Sequence, residues 1–504
     1  MYKKLLLALL ITGSLNPVIA QETPDANVIQ QIRREGLEHS KVMEHAFWLT
    51  DVNGPRLANS PGLKRAEEWA VNTLKTMGLQ NAHLEPWGEF GRGWEIERCY
   101  VAMKSPYYQA LIATPKAWSG STNGEIKAEV VLIKADTTVI KQMGSKLAGK
   151  IVIFDTKTQL EPNYTPDATR FTDQELKRLD SLPPLKKSSA EYIARIRATQ
   201  KRLTQLLYEQ KVALVLDLAR GDDGTVFTSS PRAFGLDDGP MPAELEVSSE
   251  HYLRIVRLIK SGRKVELEAD VRTKFITDDP KGYNVIAEIP GTDPKLKKEV
   301  VMLGAHLDSW HAATGATDNA AGCAVMMEVV RIIKTLDLKP RRTIRIALWS
   351  SEEEGLWGSK GYVANHFGDV TTMKLKPEQA NISAYYNLDN GTGRLRGIFA
   401  QQNVAVRPIF DEWLKPFHDL GATTTTLRNT GSTDHISFDD IGIPGFQFIQ
   451  DRVEYFSRTH HSNQDTYDRL VADDLKQAAT IVASFVYNTA QRDQKLPRKP
   501  LIKK

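Results

Sequence analysis

Apolar positions in the second half of the chain alternate between short runs of strand length and longer runs with helical spacing. The runs typical of buried strands are 284–289, 299–303, 343–349, 382–388 and 445–449. The runs typical of helices are 320–336, 403–420 and 473–491. This alternation predicts an α/β sandwich with a largely parallel sheet. In such folds, sites lie at the carboxyl ends of the strands.

The first half of the chain has two regions with different hydrophobic patterns. Residues 25–78 have helical character, and 63–77 carries apolar side chains at helix spacing. Between 120 and 277 short apolar runs appear instead, interrupted by a charged stretch at 167–211 that reads as helix and loop. We therefore expect a β-rich unit at 120–277 inserted in a larger domain. The larger domain would consist of residues 21–119 and 278–495, and a basic tail would follow at 496–504.

The N-terminus has the pattern of a secretory signal. Two lysines precede an apolar run at 5–12, and small residues lead to a cleavage site after Ala20. The alternative, a membrane anchor, requires about 20 apolar residues, more than this run provides. No later segment is apolar enough to cross a bilayer. We expect residues 1–20 to be removed and the mature protein to be secreted or periplasmic, without membrane attachment.

Composition narrows the possible partners. The 504 residues carry a formal net charge of +4, with 41% hydrophobic and 25% charged residues. Because no basic tract is concentrated anywhere, nucleic acid is not an expected partner. The two cysteines, Cys99 and Cys323, could pair in an oxidising compartment, but Cys323 lies in an apolar helical run typical of a buried thiol. Their pairing stays open, and so does the oligomeric state.

Acids and histidines follow several of the predicted strands. The stretches are His306 with Asp308, Asp318 with Asn319, Glu352 to Glu354, Asp389, and His461 in a late loop. Each alone has an ordinary explanation, such as a surface pair, a helix cap or a solvated charge run. Their joint position at the ends of apolar strands is harder to explain without a metal, because burying charge is costly. Imidazoles and carboxylates together suit zinc.

These stretches resemble the M28 family of co-catalytic zinc peptidases, which includes bacterial aminopeptidases and the plasma glutamate carboxypeptidase group. The matching segments are 304–309, 315–322, 352–359, 387–389 and 461–466, with the loop at 54–57. The resemblance implies a three-layer αβα zinc exopeptidase fold with a mixed, largely parallel sheet. It also implies peptide substrates and two Zn²⁺ per subunit.

The resemblance assigns roles residue by residue. Asp318 would bridge the two zincs, with His306 and Asp389 completing one site. Glu353 and His461 would complete the other. Glu352 would be the general base acting on a water between the metals. Asp308 would orient His306.

Two further segments match more weakly. Residues 431–438 resemble a family stretch that places His435 where it could hydrogen-bond the tetrahedral oxyanion. The alternative is that Asp434 and His435 only hold a loop. Residues 149–153 resemble a strand of the protease-associated (PA) domain, which would give the inserted unit a lid or substrate-restricting role.

The function predicted from the sequence is a zinc-dependent exopeptidase, with an aminopeptidase as the leading hypothesis. The alternatives are a carboxypeptidase or dipeptidase, a one-zinc acyl transferase of the glutaminyl cyclase type, and a non-catalytic binding protein on the same scaffold. An aminopeptidase needs an acid for the substrate ammonium, for which Glu354 or Asp308 qualifies. A carboxypeptidase needs a cation for the terminal carboxylate, for which Arg56 or Arg452 qualifies.

Overall fold

A computed structural model describes residues 23–185, 190–228 and 231–500. The expected signal segment at 1–20 lies outside this range, as do residues 501–504 of the tail. The strands are β1 (Gln80–Glu89), β2 (Gly93–Ser105), β3 (Gln109–Ala110), β4 (Ala113–Pro115), β5 (Ile126–Ile133), β6 (Ile151–Phe154), β7 (Leu214–Leu218), β8 (Glu244–Val247), β9 (Glu266–Ile276), β10 (Lys281–Ile289), β11 (Val300–His306), β12 (Thr343–Trp349), β13 (Gly368–Asp369), β14 (Lys374–Leu375), β15 (Ile382–Asn387), β16 (Leu395–Phe399), β17 (Thr424–Thr426) and β18 (Gly445–Gln450).

The helices alternate with these strands. They are α1 (Ala26–Glu38), α2 (Val42–Phe47), α3 (Pro61–Thr76), α4 (Thr137–Met143), α5 (Asp173–Arg178), α6 (Ala190–Glu209), α7 (Ser249–Lys260), α8 (Ala321–Thr335), α9 (Trp357–His366), α10 (Arg407–Leu414), α11 (His435–Asp439) and α12 (Ala472–Gln491). Short π-helical turns occur at Trp48–Val52, Ala316–Ala320 and Tyr455–Thr459, and 3-10 turns at Gly144–Leu147, Leu179–Ser181, Pro377–Asn381, Val404–Val406, Lys415–Leu420 and Tyr467–Arg469.

The larger domain is built on an eight-stranded sheet in the order β1-β10-β12-β11-β15-β18-β16-β17. The central strands β12, β11, β15 and β18 are parallel to one another, and β1, β10 and β16 join antiparallel neighbours. Side chains alternate between the two faces of β11. Val301 and Leu303 pack with α1, α3, α8 and α12, whereas Val300 and Met302 pack with α9 and α11. The predicted αβα sandwich with a mixed, largely parallel sheet is confirmed.

The expected elements of this domain are confirmed within one or two residues for the strands at 343–349 and 445–449 and for the helix at 473–491. The expected helix at 403–420 is instead a 3-10 turn, α10 and a second 3-10 turn, because Pro408 and Pro416 interrupt helical hydrogen bonding. Over the described residues, no helix combines the length and apolarity that a membrane span needs.

A second eight-stranded sheet has the order β3-β2-β9-β5-β6-β7-β8-β4. Helix α7 packs against one face of its parallel part, and α4 and α6 pack against the other. Strands β2, β3 and β4 belong to this sheet although they precede residue 120, so it extends from Gly93 to Ile276. We therefore move the proposed start of the inserted unit from 120 to 93 and keep its end near 277. The sequence did not show this, because the pairing of β2 with β9 is long-range.

Candidate active site

Three adjacent parallel strands deliver acids and a histidine to one edge of the larger sheet. His306 is the last residue of β11 and lies opposite Trp349, the last residue of β12. Glu352 follows β12 by three residues, and Asp389 follows β15 by two. Because the carboxyl ends of parallel strands meet at one edge, these side chains converge there.

Asp318 stands between two histidines, and each of its carboxylate oxygens faces a different one. Its Oδ1 lies 3.2 Å from Nε2 of His306, which is also 3.2 Å from Oδ1 of Asp389. Its Oδ2 lies 3.2 Å from Nε2 of His461, which is 2.9 Å from Oε2 of Glu353. Two groups of three candidate ligands therefore share one carboxylate.

Each histidine–carboxylate distance in these groups is close to the separation of two ligands on one metal ion. Two ligands of a tetrahedral zinc with bonds of about 2.0–2.1 Å lie roughly 3.3 Å apart. Glu353 Oε1 is buried and has no hydrogen-bond partner among the described residues, and Asp318 Oδ2 faces the His461 ring nitrogen at 3.2 Å without hydrogen-bond geometry. A buried carboxylate oxygen without a partner is costly, and a cation would compensate it.

Electrostatics also indicates that the site requires positive charge. Burial lowers the pKa of His306, but the charges of Asp389 and Glu352 outweigh it, so that the pKa lies well above the ordinary value. For His461, burial is likewise outweighed by Glu353 and Asp318, and the pKa rises to about 10. Metal ions would supply this charge and leave both imidazoles neutral.

Glu352 lies beside the His306 group and is not part of either set of ligands. Its Oε2 is 4.0 Å from Nε2 of His306, and the residue is buried. Burial, with the negative charges of Asp389 and Asp434, raises its pKa well above the ordinary value. The position suits a group that exchanges a proton.

The side chains of Asp308 and Asp465 hold the segments that carry the candidate ligands, because they accept hydrogen bonds from main-chain N–H groups there. The Asp308 carboxylate accepts the N–H groups of Glu352 at 3.1 Å and Glu353 at 3.2 Å. Its carbonyl, 3.0 Å from Nδ1, accepts the His306 ring proton when Nε2 binds a metal. The Asp465 carboxylate accepts N–H groups at Thr317 (2.6 Å) and Asp318 (3.1 Å). Asp465 was not among the expected site residues, although it lies within the matching segment at 461–466.

The structure places Arg56 in a supporting role, so that its suggested use as a substrate anchor is wrong. The guanidinium is fully buried and donates to the carbonyls of Leu307 (2.6 Å), Leu49 (2.8 Å), Thr314 (2.7 Å) and Gly315 (2.9 Å). These contacts use its donors. Arg56 instead holds together the loops that precede Asp318.

The structure also shows the contacts of the other suggested anchors. The Arg452 guanidinium lies over the ring of Phe171 at 4.8 Å, and the Asp308 carboxylate holds main-chain N–H groups. Glu354 is buried, and burial raises the pKa of its carboxyl well above the ordinary value. Cys323 donates its thiol proton to the His306 carbonyl at 3.0 Å, and both cysteines are free.

His435 begins α11 and is fully buried. Its Nε2 lies 2.5 Å from Nε2 of Gln401 and 3.3 Å from the Thr430 carbonyl. Its Nδ1 has no partner among the described residues. Burial lowers its pKa to about 4, so it is neutral, and its link to the ligands is the charge of Asp389. The oxyanion role stays a prediction.

Tyr455 and His460 are additional site residues that the sequence did not single out. The His460 ring stacks on His461, with 3.7 Å between ring centroids, and Tyr455 lies 4.8 Å beyond it. Burial, with the charges of Asp318 and Asp389, raises the pKa of Tyr455 well above the ordinary value. The sequence did not indicate them, because only the folding of their loop brings Tyr455 and His460 beside His461.

The inserted unit reaches the site through residues 220–228. Phe227 forms antiparallel bridges with Arg220 and with Ser462, next to His461. Thr228 N–H donates to the His461 carbonyl at 2.7 Å. Burial lowers the pKa of His460 to about 4, and Arg220 is among the nearby charges that lower it.

Comparisons with known proteins agree with this geometry. The sequence model described as "Peptidase family M28" matches residues 284–486. Carboxypeptidase Q from Bos taurus is 28% identical over 468 residues, covering 92% of this chain and 88% of the relative. Aminopeptidase YwaD from Bacillus subtilis (strain 168) is 28% identical over 207 residues, 39% of this chain and 42% of the relative.

Among solved structures, a Peptidase M28 precursor from Shewanella amazonensis SB2B has a similar fold. Its TM-score is 0.68 at 25% identity, and the match covers 94% of this chain and 98% of that one. The likeness therefore includes the inserted unit as well as the half that carries the ligands. Residues 284–486 therefore match peptidase family M28, the chain as a whole is similar to M28 peptidases, and it is a metallopeptidase.

Proposed function

We propose that the protein is a two-zinc exopeptidase that uses Glu352 as its general base and acts at the carboxyl end of peptides. The observation that carries the two-metal part is the position of Asp318, whose two oxygens face separate histidines at 3.2 Å each. One zinc would be held by His306, Asp318 and Asp389. The other would be held by Asp318, Glu353 and His461.

The chemistry follows from what surrounds these ligands. When bound, zinc polarises the scissile carbonyl and lowers the pKa of the attacking water. Glu352 accepts a proton from this water as the water oxygen attacks the carbonyl carbon. It then gives the proton to the leaving nitrogen as the carbon–nitrogen bond breaks. Asp308 keeps Glu352 in place through the main-chain hydrogen bond at 3.1 Å.

The preference for the carboxyl end is supported by the extent of the similarity. Carboxypeptidase Q matches this chain over 92% of its length, including the inserted unit. The sequence match to Aminopeptidase YwaD covers 39% of the chain. Since end specificity depends on surfaces beyond the metal ligands, the similarity over the whole length carries more information about it.

An aminopeptidase remains the second candidate. It is supported by the relative named aminopeptidase, which is 28% identical over 207 residues. Against it stands the lack of a suitable ammonium anchor among the acids suggested from the sequence. The Asp308 carboxylate binds main-chain N–H groups, and burial favours the neutral form of Glu354.

A further part of the proposal concerns location and the inserted unit. Residues 1–20 have the signal pattern described above, so we propose export from the cytoplasm. We also propose that the unit at 93–277 is of the protease-associated type and restricts access to the site. Its contact with the His461 loop supports this role.

Mass spectrometry of an unblocked pentapeptide incubated with zinc-loaded protein tests the proposal. Loss of the last residue first supports the carboxypeptidase. Loss of the first residue would replace it by the aminopeptidase. Cleavage only within the peptide, or none in the zinc-loaded protein, would contradict an exopeptidase.

A further inference from the structure

Arg220 is a cation of the inserted unit whose side chain has no hydrogen-bond acceptor among the described residues. Its side chain is exposed, and its guanidinium carbon lies 4.5 Å from the centre of the Phe227 ring. Within the described part of the chain its guanidinium has no hydrogen bond or ion pair, whereas its main-chain carbonyl accepts the Phe227 N–H at 3.3 Å. The ring fixes the guanidinium by stacking and leaves its N–H donors available.

The location of Arg220 is tied to the metal ligands by main-chain contacts. Arg220 bridges to Phe227, and Phe227 bridges to Ser462, the residue after His461. Asn463 strengthens this junction, because its Oδ1 accepts the Val226 N–H at 2.8 Å and its N–H donates to the Val226 carbonyl at 3.1 Å. The guanidinium is therefore held at a set place relative to the His461 side of the site.

The cleft beside this junction is lined by two cations and three acids, and one of the cations has no ion pair among the described residues. It has a volume of about 450 Å³, and its lining includes Arg220, Phe227, Lys116 and Asp217. Lys116 is ion-paired with Asp217 and with nearby glutamates. Of these two cations, only Arg220 has no ion pair in the described ranges, so its donors can bind an anion from outside.

We infer that Arg220 binds the free α-carboxylate at the C-terminus of the substrate and so determines which end of a peptide is cleaved. The inference rests on the proposed carboxypeptidase function and names the group that gives it its specificity. A guanidinium offers a carboxylate two parallel N–H donors, a geometry that an ammonium group does not reproduce. It replaces the two arginines suggested from the sequence, Arg56 and Arg452.

The experiment compares two substrates of the same sequence, a peptide with a free C-terminal carboxylate and its C-terminal amide. For the zinc-loaded wild type, kcat/KM should be larger for the carboxylate. In Arg220→Ala this preference should fall by about 10- to 100-fold, mainly through KM, with zinc content unchanged. Arg220→Lys should recover only part of the preference.

Arg452→Ala is the matched control, because Arg452 also stacks on a phenylalanine, at 4.8 Å, and is exposed. It should keep the full preference. If the wild type prefers the carboxylate and Arg220→Ala keeps that preference, the inference about Arg220 is overturned while the proposed function stands. If the wild type itself shows no preference for the carboxylate, both fail. Thermal unfolding of each variant checks that the substitution leaves the fold intact.

Discussion

Glu352 and Glu353 are neighbours in the chain, but their side chains meet different histidines. Glu353 Oε2 is 2.9 Å from Nε2 of His461, whereas Glu352 Oε2 is 4.0 Å from Nε2 of His306. The Asp308 carboxylate holds both main-chain N–H groups, which fixes this divergence. One carboxylate can therefore bind a metal while the other remains free to carry a proton.

Glu352→Gln should separate these two roles. The amide has nearly the same shape but cannot accept the proton, so kcat should fall by about 100- to 10 000-fold with zinc content unchanged. Steady-state kinetics and elemental analysis measure both quantities. Glu354→Gln is the control, because burial raises the pKa of that carboxyl and favours its neutral form. Near-normal turnover in Glu352→Gln would show that another group is the base.

Much of the ligand set could be predicted from residue types and order. Seven residues that the motifs singled out lie at the sheet edge or hold residues there: His306, Asp308, Asp318, Glu352, Glu353, Asp389 and His461. His435 is not among them. The sequence could not show that the Asp465 carboxylate accepts the Asp318 main-chain N–H, or that the Arg56 guanidinium donates to main-chain carbonyls. Those roles depend on which atoms meet after folding, and residue type alone is equally compatible with a substrate contact.

At the level of elements, the strands of the larger domain could be predicted because they are short continuous apolar runs. Strands β2 and β9 could not be assigned to a sheet, since their pairing joins residues far apart in the chain. The register of a long-range pair is set by burial on one face, which is visible only when both partners are known. For the same reason the contact between 224–228 and 461–463 was not expected.

This contact should influence metal affinity. His461 has a left-handed main chain, with φ of 61°, which costs about 1–2 kcal/mol and needs support from its surroundings. Asn463→Ala removes the side-chain bonds to Val226 and Gly224, at 2.8 and 3.2 Å. We expect zinc affinity to fall by about 10- to 100-fold, as is usual when a group supporting a ligand is lost.

A chelator competition titration would measure that loss. Asn429→Ala is a matched control, because the Asn429 side chain also bonds to main-chain groups. It accepts the Leu185 N–H at 2.9 Å and donates to the Leu185 carbonyl at 3.3 Å. It joins a region that holds no proposed ligand, so zinc affinity should be unchanged. Equal zinc affinity in both variants would mean that the junction does not position His461.

The pair of His366 on α9 and Glu85 on β1, 2.6 Å apart, should make stability depend on pH. The hydrogen bond to Glu85 raises the pKa of His366 above 6.5. For Glu85, burial is outweighed by His366, and the pKa lies below 4.5. The contribution is therefore complete between these two ordinary values. It is lost as pH rises through the raised pKa of His366 or falls through the lowered pKa of Glu85.

Urea unfolding of His366→Gln and wild type measures this contribution. The variant should be less stable by about 1 kcal/mol near pH 5.5, and the difference should shrink near pH 8.5. Adding Glu85→Gln to the variant should cost little more at the lower pH. A difference that is the same at both pH values would contradict the linkage.

For the whole molecule, we expect metal bound at the candidate site to be a source of stability as well. Several carboxylates are buried there within one region, and cations compensate their mutual repulsion. Removing zinc with a chelator should lower the free energy of unfolding by about 4 kcal/mol when free zinc had been about 1,000 times its dissociation constant. Urea unfolding with and without chelator measures the loss.

Two variants control for this effect. Glu352→Gln keeps every proposed ligand, so chelation should destabilise it as much as wild type. Asp318→Asn weakens the bridge shared by both metals, and chelation should change its stability less. An unchanged unfolding midpoint after complete removal of zinc from wild type would show that the site does not contribute to folding.

The pairing of Gly93 with Ile276 places the two ends of the inserted unit side by side, about 5 Å apart. Such a unit can be exchanged as a cassette between related chains without stretching the scaffold that receives it. Each exchange would bring a new residue in place of Arg220 and a new partner for the His461 loop. Recombination at these two points would therefore change substrate choice and metal retention in a single step.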